Sequence, residues 1–247
     1  MKTVATIEAR MNSSRLPGKV LMPVLGKPLL GFLIERLKAV TSVDEIIVAT
    51  TVNDIDSPIV DLAKNYQVSC FRGSEDDVMS RVIEAAEYYE ATNVVEITGD
   101  CPLIDPDIID QTIRVFLKND ADYCANSFYS SYPDGMDTQV IKLDALKKSY
   151  ALIENDADYE HVTLHIVQNP TIFNHVYLVA PPSLTWPGLG LLLDEMSDFQ
   201  LISNVIEALY PENELFTCGD IISFLKRNPQ LINSNNSVSR KNKRPRL

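Results

Sequence analysis

A chain of 247 residues, 45% hydrophobic and 23% charged, has the composition of a globular protein and room for one large core, alone or with a subdomain. Its formal net charge of -12 speaks against nucleic acid as the main partner, because such binders need a basic face to neutralise phosphates. No apolar run nears the ~18 residues of a membrane span, and the cysteines at 70, 101, 124 and 218 form no CxxC pair, which argues against a zinc cluster or a disulfide framework.

The opening "MKTVATIEAR" turns charged too soon for a signal peptide, so a soluble cytoplasmic protein is expected. Strand and helix signals then alternate, the rhythm of a parallel sheet. "TVATIEA" (residues 3–9) reads as the first strand. Residues 28–40 carry apolar side chains at helical spacing behind Pro28, a first-turn residue. A second strand spans residues 45–51 and a second helix residues 57–66, with Ser57 as cap and Pro58 just inside. A short strand at residues 68–71 leads to an amphipathic helix at residues 76–91. The fourth strand, residues 93–100, runs into a turn. Asp105 then caps a helix at residues 105–119, with Pro106 in its first position and Asp107 favouring its positive end. Beyond residues 121–127 the rhythm breaks. Strand-like pieces ("DTQVIKL", "IFNHVYLVA") mix with helical ones ("DALKKSYALI", "EHVTLHIVQN"), and residues 128–185 read as an inserted subdomain. Helices at residues 197–210 and 218–228 follow. The last eleven residues hold five of the 22 Lys and Arg, and residues 231–247 read as a solvated, disordered basic tail. Cys70 and Cys124 lie in apolar runs and read as small core hydrophobes.

The first loop, "ARMNSSRLPGK", gathers Arg10, Arg15 and Lys19 around Ser13, Ser14 and Gly18. It follows a strand and precedes a helix, which places it at the carboxyl edge of the sheet, where open α/β folds bind ligands. Cations and backbone N–H groups in such a loop can surround a polyphosphate. On charge pattern alone, solvated surface cations are an equal alternative. The spacing is neither G-x-x-x-x-G-K-[ST] nor G-x-G-x-x-G, so P-loop and dinucleotide readings fail. Asp100, in "EITGDCPLIDP", follows a strand end and Gly99. A carboxylate there either holds Mg2+ together with phosphate oxygens and water or shapes a turn. Taken alone, Arg81 is an ordinary exposed helix residue and His161 a structural histidine on an amphipathic helix.

These stretches resemble the cytidylyltransferases, the CMP-sugar synthetases that charge acidic sugars with CMP, and within them the spore-coat polysaccharide branch. "ARMNSSRLPGKVLMPVLGKPLL" is similar to the family signature: Arg, a small-residue turn, Arg-Leu-Pro-Gly-Lys, then Gly-Lys-Pro opening a helix. "FRGSEDDVMSRVIEAA", "TGDCPLIDP", "YPDGMDTQV", "EHVT" and "LLLDEMSDFQLI" are similar to later boxes. The resemblance covers about residues 2–230. It implies an α/β, Rossmann-like nucleotidyltransferase fold, a mostly parallel mixed sheet flanked by helices. One domain would span residues 1–230, with residues 128–185 as an inserted subdomain that builds a homodimer interface. It further implies that Arg10, Ser14, Arg15 and Lys19 grip the triphosphate of CTP, and that Asp100 binds Mg2+ with Asp194 completing the site. Arg10, Arg15, Lys19 and Asp100 would be the catalytic set. Arg72, Gly73, Ser74 and Asp77 would join the nucleotide pocket, and Arg81, Asp137, Gln139 and His161 would contact the sugar. There are two departures. Gln139 replaces a usual Glu, which puts a sugar contact or a carboxylate bridge in question. Gly190 stands where the branch often has Arg, which does the same for a phosphate contact.

The implied reaction is attack of a sugar hydroxyl or phosphate oxygen on the α-phosphorus of an NTP, with pyrophosphate leaving in line. Positioning and charge neutralisation carry such a reaction. Two other readings stay open on the sequence. One is a glycosyltransferase that uses a finished nucleotide sugar, for which Asp54/Asp56, Asp105/Asp107 and Asp156/Asp158 supply Asp-x-Asp spacings. The other is a non-catalytic relative, motivated by Gln139 and Gly190.

Overall fold

The computed structural model describes residues 1–153 and 156–232. The expected basic tail beyond Ile232 lies outside the described residues. In chain order the strands are β1 (Thr3–Glu8), β2 (Pro23–Val24), β3 (Lys27–Pro28), β4 (Glu45–Thr51), β5 (Ser69–Gly73), β6 (Asn93–Thr98), β7 (Tyr123–Ala125), β8 (Gln139–Lys142) and β9 (His175–Tyr177). The helices are α1 (Leu29–Lys38), α2 (Ser57–Asn65), α3 (Val78–Tyr88), α4 (Pro106–Lys118), α5 (Leu143–Tyr150), α6 (Asp156–Glu160), α7 (Leu164–Gln168), α8 (Met196–Leu209) and α9 (Cys218–Arg227).

Seven strands form one sheet in the order β5-β4-β1-β6-β8-β7-β9. β5, β4, β1 and β6 run parallel, β8 runs antiparallel to both its neighbours, and β9 is parallel to β7. This is the mostly parallel mixed sheet flanked by helices that the sequence predicts. Residues 128–185 supply β8 and β9 to that same sheet. β1 and β4 are buried on both faces, which is why their sequences read as near-continuous Val, Ile, Ala and Thr. On one face Ala5, Ile7 and Val48 pack with Leu33 and Leu37 of α1, Ile59 of α2 and Ile109 and Ile113 of α4. On the other, Val4, Ile47, Val94 and Ile141 pack with Met79 and Val82 of α3 and Leu146 of α5. A third cluster joins α8 and α9 to the outer side of α1 through Leu29, Phe32, Leu201, Val205, Ile221 and Leu225.

Several expected boundaries move, each for a visible reason. Asp56, not Ser57, precedes α2, and its carboxylate is spent on Met11 and Thr51 rather than on a cap. The third strand extends to Gly73 because Arg72 and Gly73 keep register with Thr50 and Thr51. Of the helix expected over residues 160–169 only α7 (Leu164–Gln168) forms, because α6 ends at Glu160 and a turn separates the two. Between them Leu164 N–H closes on the His161 carbonyl at 2.9 Å, and Thr163 turns its hydroxyl to Gln139. Asp105 does cap α4 as expected, accepting from Asp107 N–H at 2.9 Å. Its second oxygen accepts from Cys218 N–H at 2.6 Å. Beside it the buried Arg36 donates to the carbonyls of Ile104 and Phe216, so the start of α9 is fastened to the start of α4 through polar bonds as well as packing. Burial pulls the Arg36 guanidinium down to about 10 against the attraction of Asp105.

Candidate active site

The parallel strands β1 and β6 deliver their loops to the same edge of the sheet. Gly99 makes this junction close. Its N–H donates to the Glu8 carbonyl at 2.9 Å, and a Cβ at this position would stand 2.8 Å from that same oxygen. Any side chain would push the strand ends apart and move Asp100 with them. The loop after β1 is folded around Met11, whose N–H donates to Asp56 at 2.6 Å and whose carbonyl accepts from Ser13 and Gly18. Gly18 holds φ +71°, a left-handed conformation that suits a residue without Cβ. A short 3-10 turn, Lys19–Leu21, follows at once and aims Lys19 across the edge.

A third segment arrives from much later in the chain. Leu193 N–H donates to the Asp100 carbonyl at 2.8 Å. Upstream, Asp134 N–H donates to the Leu189 carbonyl and Leu191 N–H to the Asp134 carbonyl. Gly135, at φ +101°, lies so close that a Cβ would be 2.8 Å from the Leu191 carbonyl carbon. The "YPDG" stretch thus braces the segment that carries Asp194. Gly190 is buried in this brace, bridged to Asp134. Downstream, the fully buried Asp198 accepts from Asp194 and Glu195 N–H at 3.0 and 2.8 Å within the capping box of α8.

These devices bring four charged side chains together. Lys19 Nζ donates to Asp100 Oδ2 at 2.9 Å, to Asp194 Oδ1 at 3.2 Å and to the Leu193 carbonyl at 2.6 Å. Arg15 reaches the same Asp194 oxygen at 2.7 Å. Burial disfavours the Lys19 ammonium, but Asp100 and Asp194 outweigh it and hold its pKa above the ordinary lysine value. Asp100 and Asp194 therefore lie within reach of a single cation. Among the described residues no group of three or more His, Cys, Asp and Glu side chains could enclose a metal, so these two carboxylates are a partial, oxygen-only donor set.

The other predicted residues sort into two places. Arg10 faces Glu75 at 3.4 Å, beside rather than within the four-residue cluster. Ser14 is exposed on the same loop. Arg72 donates to the carbonyls of Thr51 and Asn53, each at 2.9 Å. Ser74 Oγ accepts from Asp77 N–H, and Asp77 caps α3 through Ser80 N–H at 2.8 Å while accepting from Tyr150. Arg81 is not an exposed helix residue: it is 2% exposed and donates to the Ser74 carbonyl. Gly73 is what lets it pass, since a Cβ there would meet Arg81 Cγ at 2.9 Å. His161 is exposed in the turn between α6 and α7 instead of on one amphipathic helix. Of the Asp-x-Asp spacings, those of Asp56 and Asp105 are committed to the loop and cap bonds above.

Sequence reasoning missed a buried acid network on the α3 face of the sheet. Glu96 lies opposite Thr6 of β1 and Gln139 of β8. The Gln139 amide donates to Glu96, and its carbonyl oxygen accepts from Tyr123 and from Thr163 at 2.8 Å. Glu8 is directed to the same place, with both carboxyl oxygens buried. Burial first, and then the charge of Glu96, pushes the Glu8 carboxyl well above the usual carboxylate range. Burial pushes Glu96 up to about 7. Two carboxyls enclosed together cannot both ionise cheaply, so the pair keeps a proton near neutral pH. Gln139 fits this network because its amide donates where a carboxylate would repel. The lone Glu in the apolar strand "NVVEIT" is the signal that could have revealed it.

The sequence model of the cytidylyltransferase family matches residues 4–185. An uncharacterized protein of Methanocaldococcus jannaschii is 37% identical over 99% of this chain and 98% of its own length. The spore coat polysaccharide biosynthesis protein SpsF of Bacillus subtilis is 29% identical over 90% and 93%. A 3-deoxy-manno-octulosonate cytidylyltransferase of Chloroherpeton thalassium is 31% identical over 73% and 74%. Among solved structures, a cytidylyltransferase from Leptospira borgpetersenii superposes with a TM-score of 0.91 at 31% identity, covering 97% of this chain and all of that one.

Proposed function

The chain belongs to the cytidylyltransferase family, and from that premise we propose that it transfers the cytidylyl group of CTP to a sugar and releases pyrophosphate. The observation that carries this reading is the convergence of Arg15, Lys19, Asp100 and Asp194 at the carboxyl edge of the sheet. Cations suited to a triphosphate stand beside hard oxygen donors, the combination that nucleotidyl transfer needs. Arg15 and Lys19 orient the triphosphate and offset the charge that builds on the departing pyrophosphate. Arg10 and Ser14 extend the grip along the same loop. Arg72, Gly73, Ser74 and Asp77 form the adjoining wall of the nucleotide pocket. Arg81, Asp137, Gln139 and His161 belong to the sugar side.

Asp100 and Asp194 fit Mg2+, since two carboxylates leave the rest of an octahedral shell to phosphate and water. Mg2+ bound there would neutralise phosphate oxygens and lower the pKa of the attacking oxygen. The Chloroherpeton relative favours an acidic 2-keto sugar as acceptor, and the Bacillus relative favours surface polysaccharide synthesis as its purpose. We place the enzyme in the cytoplasm as a homodimer, joined through residues 128–185. No helix among the described residues is long and apolar enough to cross a membrane.

The test is pyrophosphate release with Mg2+ and each of the four NTPs, against a panel of 2-keto acid sugars and sugar 1-phosphates. Release with CTP and an acidic sugar, abolished by EDTA, is the expected result. Release with another NTP alone would overturn the base assignment. Absence of both turnover and NTP binding would overturn the whole reading.

A further inference from the structure

An ammonium group has three N–H donors, and Lys19 uses all three: on Asp100, on Asp194 and on the Leu193 carbonyl. The side chain is only 12% exposed, and that of Asp194 11%. With Arg15 on the same Asp194 oxygen, two cations balance two carboxylates. The function proposed above assigns these groups to different partners, the cations to phosphate and the carboxylates to metal. They cannot serve those partners while paired with one another. A divalent ion approaching both carboxylates meets an ammonium already in contact with each of them. A triphosphate, whose several negative charges outweigh one carboxylate, competes for that ammonium and uncovers the acids as it binds.

We propose that Lys19 is a resident counter-cation that bars metal from Asp100 and Asp194 until a triphosphate draws it away. Metal then loads with the nucleotide and not before it. The inference rests on the function proposed above for the identity of the incoming anion, but the competition between Lys19 and a metal is testable without any nucleotide.

Mn2+ alone is titrated into the full-length protein in the absence of nucleotide, and free Mn2+ is read by electron paramagnetic resonance. Lys19→Met is expected to bind Mn2+ at least about 10-fold more tightly than the wild type, since the opposing charge in contact with both ligands is gone. Lys19→Arg keeps the charge and should stay as weak as the wild type. Arg15→Met removes an equal charge that touches Asp194 alone, and should gain less than Lys19→Met. Adding Asp194→Asn to Lys19→Met should cancel the gain. Lys19→Gln gives the same readout should the methionine variant not fold. Equal Mn2+ affinity in the wild type and the Lys19 variants, or equal gains from Lys19→Met and Arg15→Met, would overturn the proposal. A gain in Lys19→Met by a protein that turns over no NTP would leave the counter-cation standing and remove the cytidylyltransfer reading. Turnover of CTP without that gain would do the reverse.

Discussion

Replacing Glu96 with Gln isolates the buried acid network, and the structure fixes both the sign and the size of the effect. Glu96 is 7% exposed, and burial raises its carboxyl from 4.5 to about 7. A group raised in this way binds its proton more tightly in the folded chain than in the unfolded one. The stability it contributes is complete below about 4.5 and is lost as pH rises through about 7. At 1.36 kcal/mol per pKa unit, the loss between pH 5 and pH 8 comes to about 2–3 kcal/mol. Glu96→Gln has no proton to lose and keeps an acceptor for the Gln139 amide, so it escapes that loss. Guanidinium denaturation of both proteins at pH 5 and pH 8 measures it. Relative to the wild type, the variant should be better off by about 2–3 kcal/mol at pH 8 than at pH 5. A difference between the two pH values below about 0.5 kcal/mol would refute the claim that burial raises the Glu96 carboxyl to about 7.

Asp198→Ala removes the shared acceptor of Asp194 and Glu195 N–H. It should cost about 2–4 kcal/mol, seen as a Tm lower by at least about 5 °C, and pyrophosphate release should fall with it because Asp194 loses its anchor. Gly135→Ala forces a Cβ against the Leu191–Leu192 peptide at φ +101°. It should destabilise by about 1–3 kcal/mol in the same denaturation assay, whereas Gly188→Ala, which meets nothing within 4 Å, should change stability by less than about 0.5 kcal/mol. Asp100→Asn keeps the shape of the site but removes one of the two carboxylates beside Lys19. Turnover should drop by at least about 100-fold while circular dichroism stays that of the wild type.

The elements that could be read from sequence are those whose causes are local. β-branched runs gave β1, β4 and β6, and the Asp105–Pro106–Asp107 sequence gave the start of α4. The Arg15–Lys19 loop and the Asp100 turn were legible because their residues are close in the chain and flank strand ends. Asp194 could be named but not placed. Its position depends on the Leu193–Asp100 backbone bond and the brace at Gly135, which join segments far apart in sequence. Arg81 looked exposed because helical spacing does not reveal which neighbour has no side chain, and it is Gly73 that lets it lie buried. The acid network was invisible for a related reason. Glu8, Glu96 and Gln139 meet only after β1, β6 and β8 settle into register, and a single-residue slip would send each to the opposite face.

The bond from Leu193 to Asp100 also sets an order of events as the chain is made. Strands β1, β4, β5 and β6 lie within the first hundred residues and pair with one another, so they leave the ribosome well before the segment that carries Asp194. Asp194 and the Asp198 cap that holds it come from the last quarter of the chain. A ribosome must deliver about four-fifths of the 247 residues before Lys19 has both of its acid partners. A product cut short before residue 194 would carry Arg15, Lys19 and Asp100, three of the four charged groups, and lack Asp194, which both cations contact.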